Sequence, residues 1–424
     1  MTMLRFVTAC AAASWVAAPL AALAEAPAPA EVMTAYADIA EAGYADSLAT
    51  AEALQTAVAA FLAAPSDETL AGAKAAWVAA RVPYQQTEAF RFGNAIVDEW
   101  EGRVNAWPLD EGLIDYVDLD SAAVNEENDY ALLNIIANPK VTIGGTEVDA
   151  TEITPALLGE VLHEAEGIEA NVATGYHAIE FLLWGQDLNG TDAGAGARPY
   201  TDFVQGEGCT GGNCDRRAAY LSAATALLVS DLAEMAANWT EDGAARAALM
   251  ADPEGGISAI LTGMGSLSYG ELAGERIKLG LMLHDPEEEH DCFSDMTHLS
   301  HYYDGVGIRN VYTGRYTRVD GSTVEGPSLS QLVAAAAPEV DAQLRAELDA
   351  SVAALGEMKA AAEGGMAYDQ MLGLGNERGK ALIEGAVAAL VAQTRSIERA
   401  VAALGREIEL EGSDSLDNPN AVFQ

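Results

Sequence analysis

Basic residues are scarce in this chain, and their scarcity excludes several classes of partner. Only 22 residues are Lys or Arg, against 65 Asp or Glu, so the formal net charge at pH 7 is −43. A surface this acidic repels the phosphates of nucleic acids and anionic lipid headgroups. We therefore expect no nucleic-acid partner. Most of the acidic excess is interpreted as a solubility or high-salt adaptation that also attracts cations.

Long apolar runs are missing after the first residues of the chain. Arg5 precedes an almost wholly apolar stretch over residues 6–23, and Ala22-Leu23-Ala24 has the small-x-small pattern of a leader cleavage site. Residues 1–24 are therefore predicted to be a signal peptide that is cut after Ala24. No later run reaches the roughly 18 apolar residues of a membrane-spanning helix, so we expect an exported chain without a transmembrane segment.

Cysteine is rare too, with four in the whole sequence and three after the predicted leader. Cys209 and Cys214 enclose a flexible Thr-Gly-Gly-Asn loop. In an oxidising compartment this spacing favours a local disulfide over two free thiols. Cys292 is then left as a structural thiol or a soft metal ligand, and the structural role is the favoured interpretation.

Several catalytic motifs are absent. The sequence contains no His-Glu-x-x-His zinc-peptidase helix, no Cys-x-x-Cys-His haem attachment and no phosphate-binding glycine loop. No serine nucleophile motif stands out either. These absences remove the commonest hydrolase and nucleotide-binding classes.

Apolar residues recur at helical spacing over most of the chain, which predicts an all-α fold. The clearest helices cover residues 54–62, 70–77, 221–235 and 383–404. Two short segments, 141–148 and 311–324, have the alternation and glycine turns of β-hairpins. A glycine-rich stretch at 192–212 marks the boundary between an N-terminal helical bundle at 25–205 and a C-terminal bundle at 206–424.

The segment from Gly175 to Gly185 contains a histidine and a carboxylate in an otherwise apolar helix. His177 and Glu180 are three residues apart, so a helix points both side chains toward one place. A buried carboxylate is unfavourable unless it is paired, hydrogen-bonded or bound to a cation. We interpret the pair as a candidate site. The alternative is a core histidine bonded to a core glutamate without metal. Thr154 is expected to cap the start of the helix that holds the pair.

Four of the six histidines lie between residues 284 and 304, together with seven Asp and Glu residues that include Asp291 and Asp295. Such a density is unusual in a histidine-poor chain and is compatible with a second ligand set. A polar interdomain loop is an equal alternative. The candidate residues of this further site or interface are His290, His298 and His301.

A third region places a carboxylate in register with core aromatics. Trp77, Tyr84 and Glu88 recur at spacings of seven and four, which is one face of a helix. A glutamate on such a face is expected to be buried. Arg81 or Arg91 could neutralise it.

Taken together, these segments resemble the imelysin family. The resemblance is carried by Gly175-Tyr-His177-Ala-Ile-Glu180, which is similar to the family's Gly-x-His-x-x-Glu signature, and by the segments 289–298 and 302–316. Those two segments are similar to the iron-regulated protein A branch. The resemblance implies two related helical bundles with a site near their junction. It also implies a periplasmic or outer-membrane-associated location and a tie to iron uptake.

The resemblance to the related EfeO-type iron-uptake proteins implies a carboxylate-rich metal site. Its metal ligands here would be His177, Glu180 and Glu88, with Asp110 or Glu111 as weaker options. A nitrogen and several carboxylates suit a hard or borderline ion, so iron is the expected metal, with zinc and copper left open.

Three functions follow as hypotheses. The leading one is an exported protein that binds iron and passes it on, with envelope iron-uptake proteins as possible partners. The second is a metallopeptidase of the insulin-cleaving type that gave the family its name. This peptidase role is the less favoured one, because the signature supplies one His and one Glu, and a metal-bound Glu180 is not a free base. The third is a helical envelope module that binds a partner protein without metal.

Overall fold

The structure, a computed structural model, describes residues 26–119, 125 and 128–423. The predicted signal peptide, 1–24, lies outside the described residues. The helices are α1 (Pro29–Ala63), α2 (Asp67–Gln85), α3 (Ala95–Asn105), α4 (Pro155–Leu157), α5 (Gly175–Trp184), α6 (Cys214–Trp239), α7 (Ala244–Met250), α8 (Pro253–Ser266), α9 (Gly280–Leu283), α10 (Thr297–Thr313), α11 (Leu329–Ala336), α12 (Pro338–Glu363), α13 (Tyr368–Leu372), α14 (Glu377–Ala403) and α15 (Asp414–Asp417). Two π-helical segments, Leu158–Leu162 and Leu267–Leu279, extend α4 and α8.

The only strands among the described residues form two antiparallel hairpins, β1 (Lys140–Ile143) with β2 (Thr146–Asp149) and β3 (Arg315–Thr317) with β4 (Thr323–Glu325). In the first hairpin Val141 pairs with Val148, as the sequence predicts. The second hairpin begins later than predicted, because α10 continues to Thr313 and ends at Gly314 in a left-handed conformation. The predicted all-α fold with short β excursions is confirmed.

The long helices pack in two groups that meet around α10. In the first group α1 lies along α2 and α6, and α5 packs on α2, α3 and α6. In the second group α12 lies along α14 and α10, and α14 packs against the π segment after α8. Helix α10 also contacts α2, so it joins the groups. The boundary between two bundles at residues 205 and 206 stays a prediction. Helix α6 follows that boundary in sequence but packs against α1 and α5, which precede it.

The expected continuous helix from Thr154 to the site is wrong. Thr154 does cap α4, with its hydroxyl accepting a hydrogen bond from Leu157 N at 3.1 Å. The helix then ends, because Glu164 and Glu166 adopt positive φ values of 51° and 59°. Helix α5 starts anew at Gly175, after a loop.

Gly175 is required where α5 meets α3. Its φ is +78°, and an added Cβ would lie 2.4 Å from the carbonyl oxygen of Val104. Only glycine combines this backbone conformation with so close an approach. The glycine of the Gly-x-His-x-x-Glu signature therefore fixes the position of the helix that carries His177 and Glu180.

No helix among the described residues is long and apolar enough to cross a membrane.

Candidate metal centre

Every residue of α5 is buried, and the two polar ones face each other. The side chains of His177 and Glu180 are 1% and 0% exposed, and His177 Nδ1 lies 3.1 Å from Glu180 Oε2. This is the geometry that their three-residue spacing predicts. The contact is a hydrogen bond between this ring nitrogen and the carboxyl group.

The other ring nitrogen of His177 is free. Nε2 is buried and has no hydrogen-bond partner among the described residues. Burial, and then the charges of Arg81 and Arg276, lower the pKa of His177 well below its usual value. The imidazole is therefore neutral at pH 7, which is the form that ligates metals.

Two further candidate ligands come from the loop before α10. His177, His290 and Asp291 each offer one ligand atom, and these atoms all lie within 4.8 Å of one another. The rings of His177 and His290 are 4.7 Å apart between centroids, and His177 Nδ1 lies 3.8 Å from Asp291 Oδ1. All three side chains are buried. Two nitrogens and a carboxylate suit a borderline ion such as iron.

Both carboxyl oxygens of Glu180 have partners within the protein. Its Oε1 accepts a hydrogen bond from Ser294 N at 3.0 Å, while Oε2 faces His177. Burial, and then the nearby Asp291, raise its pKa well above the usual value. A carboxylate behind a ligating histidine orients the ring and fixes its tautomer. The geometry gives Glu180 that position.

Arg81 lies against the same ligands. Its Nη2 donates to Asp291 Oδ1 at 2.8 Å and lies 3.4 Å from His290 Nδ1. Its Nη1 donates to Asn105 Oδ1 at 2.6 Å. The hydroxyl of Ser300 is hydrogen-bonded to the second Asp291 oxygen. The cluster thus contains a buried positive charge beside its carboxylate, and a cation bound by Asp291 would share that carboxylate with Arg81.

Glu88, the predicted third ligand, is buried but has a different partner. Arg276 Nη2 donates to Glu88 Oε2 at 2.9 Å, and the same guanidinium pairs with Glu271 and Asp304. Neither Arg81 nor Arg91, the expected partners, forms an ion pair with it. Glu88 is not part of the His177 cluster. His290 and Asp291 take the place expected for it.

The remaining predicted residues are not part of the His177 cluster and have other partners. Asp110 accepts hydrogen bonds from Asn125 and Asn128, and Glu111 accepts one from Gln186 at 3.0 Å. Cys209 and Cys214 form a disulfide.

His298 and His301, two further histidines of the 284–304 region, differ from each other. His298 Nδ1 contacts the backbone oxygen of Asp295 at 3.1 Å. His301 is buried edge-on against Tyr368, and neither of its ring nitrogens has a hydrogen-bond partner among the described residues. Burial, and then the charge of Arg276, lower its pKa well below the usual value. His301 is therefore a neutral imidazole with unused hydrogen-bonding capacity.

The family model described as Imelysin matches residues 40–397. The chain belongs to the imelysin family. A crystal structure described as an iron-regulated protein A precursor of Parabacteroides distasonis has the same fold, with a TM-score of 0.64 and 19% identity. That alignment covers 90% of this chain and 97% of the other. An imelysin-like protein of Psychrobacter arcticus aligns with a TM-score of 0.55 and 15% identity, over 91% of this chain and 99% of its own. No curated protein matches the chain.

Sequence reasoning identified the region of His290 but not the roles of Asp291 and Arg81. Asp291 was one of seven acidic residues in that region, and Arg81 was considered only as a partner of Glu88. The His-Asp dipeptide at 290–291 was the available signal, since histidines are so few in this chain.

Proposed function

We propose that this imelysin-family protein binds iron as cargo at the buried cluster of His177, His290 and Asp291, and serves iron uptake in the cell envelope. One observation carries the proposal: three candidate ligand atoms from two segments lie within 4.8 Å of one another. Beside them, the Nε2 atom of His177 is buried without a partner.

The electrostatics of the cluster support metal binding. Burial lowers the pKa of both imidazoles well below the usual value. The charge of Arg81 adds to this effect at His177, and the charge of Arg276 adds to it at His290. Neutral imidazoles ligate without losing a proton. The nearby guanidinium of Arg81 weakens the attraction for a cation, which suits a protein that must release its cargo rather than retain it.

The choice of iron and of the envelope rests on the comparisons and on the predicted leader. The Parabacteroides distasonis relative is described as iron-regulated and as a precursor. A disulfide between Cys209 and Cys214 suits an oxidising compartment outside the cytoplasm. These features favour an exported protein with envelope iron-uptake proteins as partners.

The peptidase alternative finds little support in the geometry. A metallopeptidase needs an open coordination position, room for a peptide and a free base. His177 and Glu180 are fully enclosed, and both carboxylate oxygens of Glu180 are already in contact with Ser294 N and His177. We therefore propose binding and transfer rather than hydrolysis.

The test is an anaerobic titration of the mature chain with Fe²⁺, compared with the variants His177→Ala, His290→Ala and Asp291→Asn. We expect each variant to bind at least about 10-fold more weakly, since even second-shell changes have effects of that size. His163→Ala, which removes a histidine outside the cluster, is the matched control and should bind like the wild type. Unchanged affinity in both His177→Ala and His290→Ala would show that the pair is only structural.

A further inference from the structure

A second group of potential ligands, made only of carboxylates, lies apart from the histidine cluster. Asp187 follows α5, Asp295 precedes α10 and Asp369 lies on α13. One oxygen from each of these three side chains lies within 4.8 Å of the others. Three segments that are distant in sequence therefore bring negative charges to one point.

Asp369 and Asp295 lack the partners that buried carboxylates need, whereas Asp187 Oδ1 accepts hydrogen bonds from Asn189 N at 2.9 Å and from Asn189 Nδ2 at 2.6 Å. Asp369 is 0% exposed, and neither of its side-chain oxygens has a hydrogen-bond partner among the described residues. Asp295 Oδ1 is also without a partner, and so is Oε2 of the neighbouring buried Glu289. Leaving such groups ionised and unpaired in the interior is strongly unfavourable.

Two other buried carboxylates of this protein are paired with arginines. Asp115 is held by Arg198 and Arg217, and Glu88 is held by Arg276. By contrast, no described Lys, Arg or His forms an ion pair with Asp187, Asp295, Asp369 or Glu289. No basic side chain among the described residues therefore neutralises their negative charge.

We propose that Asp187, Asp295 and Asp369, with Glu289 beside them, form a second cation site that takes a hard divalent ion of the Ca²⁺ type. The ligand set offers oxygen alone, which suits Ca²⁺, Mg²⁺ and Mn²⁺ rather than softer metals. Ca²⁺ binds oxygen at about 2.3–2.6 Å, so ligands on opposite sides of it lie nearly 5 Å apart. Ca²⁺ accepts flexible shells of oxygen ligands, whereas Mg²⁺ demands near-ideal octahedral geometry, so carboxylates from three separate segments favour Ca²⁺.

Two of these side chains also line a small cavity. Asp187 and Glu289 face it together with Glu111, Glu287 and Cys292. An ion bound there ties the loop after α5 to α13 and to the segment 289–295. That segment also carries His290 and Asp291, so the second ion holds two ligands of the inner cluster in position.

The test is Ca²⁺ binding to the mature chain after EDTA treatment, followed by calorimetry and thermal unfolding. We expect one class of Ca²⁺ site and a rise in Tm on adding Ca²⁺. Asp369→Asn and Asp295→Asn should abolish both effects. Asp349→Asn, which changes an exposed aspartate on α12, is the matched control and should retain them.

Two comparisons keep the result interpretable. In EDTA, Asp369→Asn should be at least as stable as the wild type, because the substitution removes a buried charge that repels its neighbours. A loss of Ca²⁺ binding by this variant then does not reflect misfolding. His177→Ala should keep its Ca²⁺ response, which separates this site from the proposed iron site. An absence of Ca²⁺ binding by the wild type, or an equal Tm rise in Asp369→Asn, would overturn the proposal.

Discussion

Arg81 Nη2 lies 2.8 Å from Asp291 Oδ1, and this buried ion pair joins α2 to the loop before α10. Both side chains are almost completely enclosed. The guanidinium also lies over the ring of Tyr176, 5.1 Å from its centroid, in the first turn of α5. Three segments of the candidate metal centre therefore meet at a single fixed positive charge. If the proposed metal binds here, this charge has two opposing effects, since it stabilises the metal-free protein and competes with the metal.

The first prediction concerns this competition. In Arg81→Gln, Asp291 loses its buried counterion, and we expect the metal-free protein to lose about 3–5 kcal/mol of stability. Fe²⁺ should bind more tightly than to the wild type, because Asp291 is no longer shared. Urea unfolding with and without Fe²⁺, beside an affinity titration, measures both effects. Weaker Fe²⁺ binding by a folded Arg81→Gln variant would contradict this interpretation.

The second prediction separates the roles of two buried glutamates. Glu180→Gln keeps the shape of the side chain but weakens its hold on His177 Nδ1, so we expect Fe²⁺ affinity to fall about 10–100-fold. Glu88→Gln should leave Fe²⁺ affinity unchanged and reduce stability, because Arg276 then loses one of its carboxylate partners. Titration and thermal unfolding of both variants provide the comparison. A larger loss of affinity in Glu88→Gln would restore Glu88 as a ligand.

The helices and the contact between His177 and Glu180 could be predicted because both depend on local sequence. Apolar spacing located α6 and α14, and the glycines at 144–145 located the first hairpin. The three-residue spacing placed His177 opposite Glu180. The pairing of Arg81 with Asp291 joins residues that are 210 positions apart, and no periodicity encodes it. The break after α4 was equally hidden, since Glu164 and Glu166 are ordinary helix formers held at positive φ by their surroundings.

The third prediction concerns acid stability. Burial raises the pKa of Asp115, but hydrogen bonds from Arg217 and the charge of Arg198 outweigh it and hold the pKa below its usual value. A carboxyl group whose pKa is lowered by folding stabilises the protein at pH values above its unfolded-state pKa of about 3.9. This contribution is lost as the pH falls through the folded-state pKa.

Asp115→Asn should therefore be less stable than the wild type by about 3–5 kcal/mol at pH 7. The difference should shrink as the pH falls below about 4. Urea unfolding of both proteins across this range gives the difference directly. A gap that stays constant down to pH 3 would mean that the charge of Asp115 contributes nothing.

The last prediction tests why the signature begins with glycine. In Gly175→Ala, the new Cβ meets the carbonyl oxygen of Val104 at 2.4 Å, while φ stays at +78°. Helix α5 must then move away from α3 or the backbone must change, and either shift displaces His177 from His290 and Asp291. We expect a loss of stability of about 2 kcal/mol or more and weaker Fe²⁺ binding.

Gly145→Ala is the matched control for this change. Gly145 has nearly the same φ, +76°, but an added Cβ meets nothing within 4 Å. Gly145→Ala therefore introduces backbone strain without a steric clash. It should destabilise the protein by about 1 kcal/mol and leave its Fe²⁺ affinity unchanged. The difference between the two variants in thermal unfolding measures the clash of α5 with α3. If Gly175→Ala is no more destabilising than Gly145→Ala, then Gly175 is needed only for its positive φ. The close approach of α5 to α3 would then not position the proposed metal ligands.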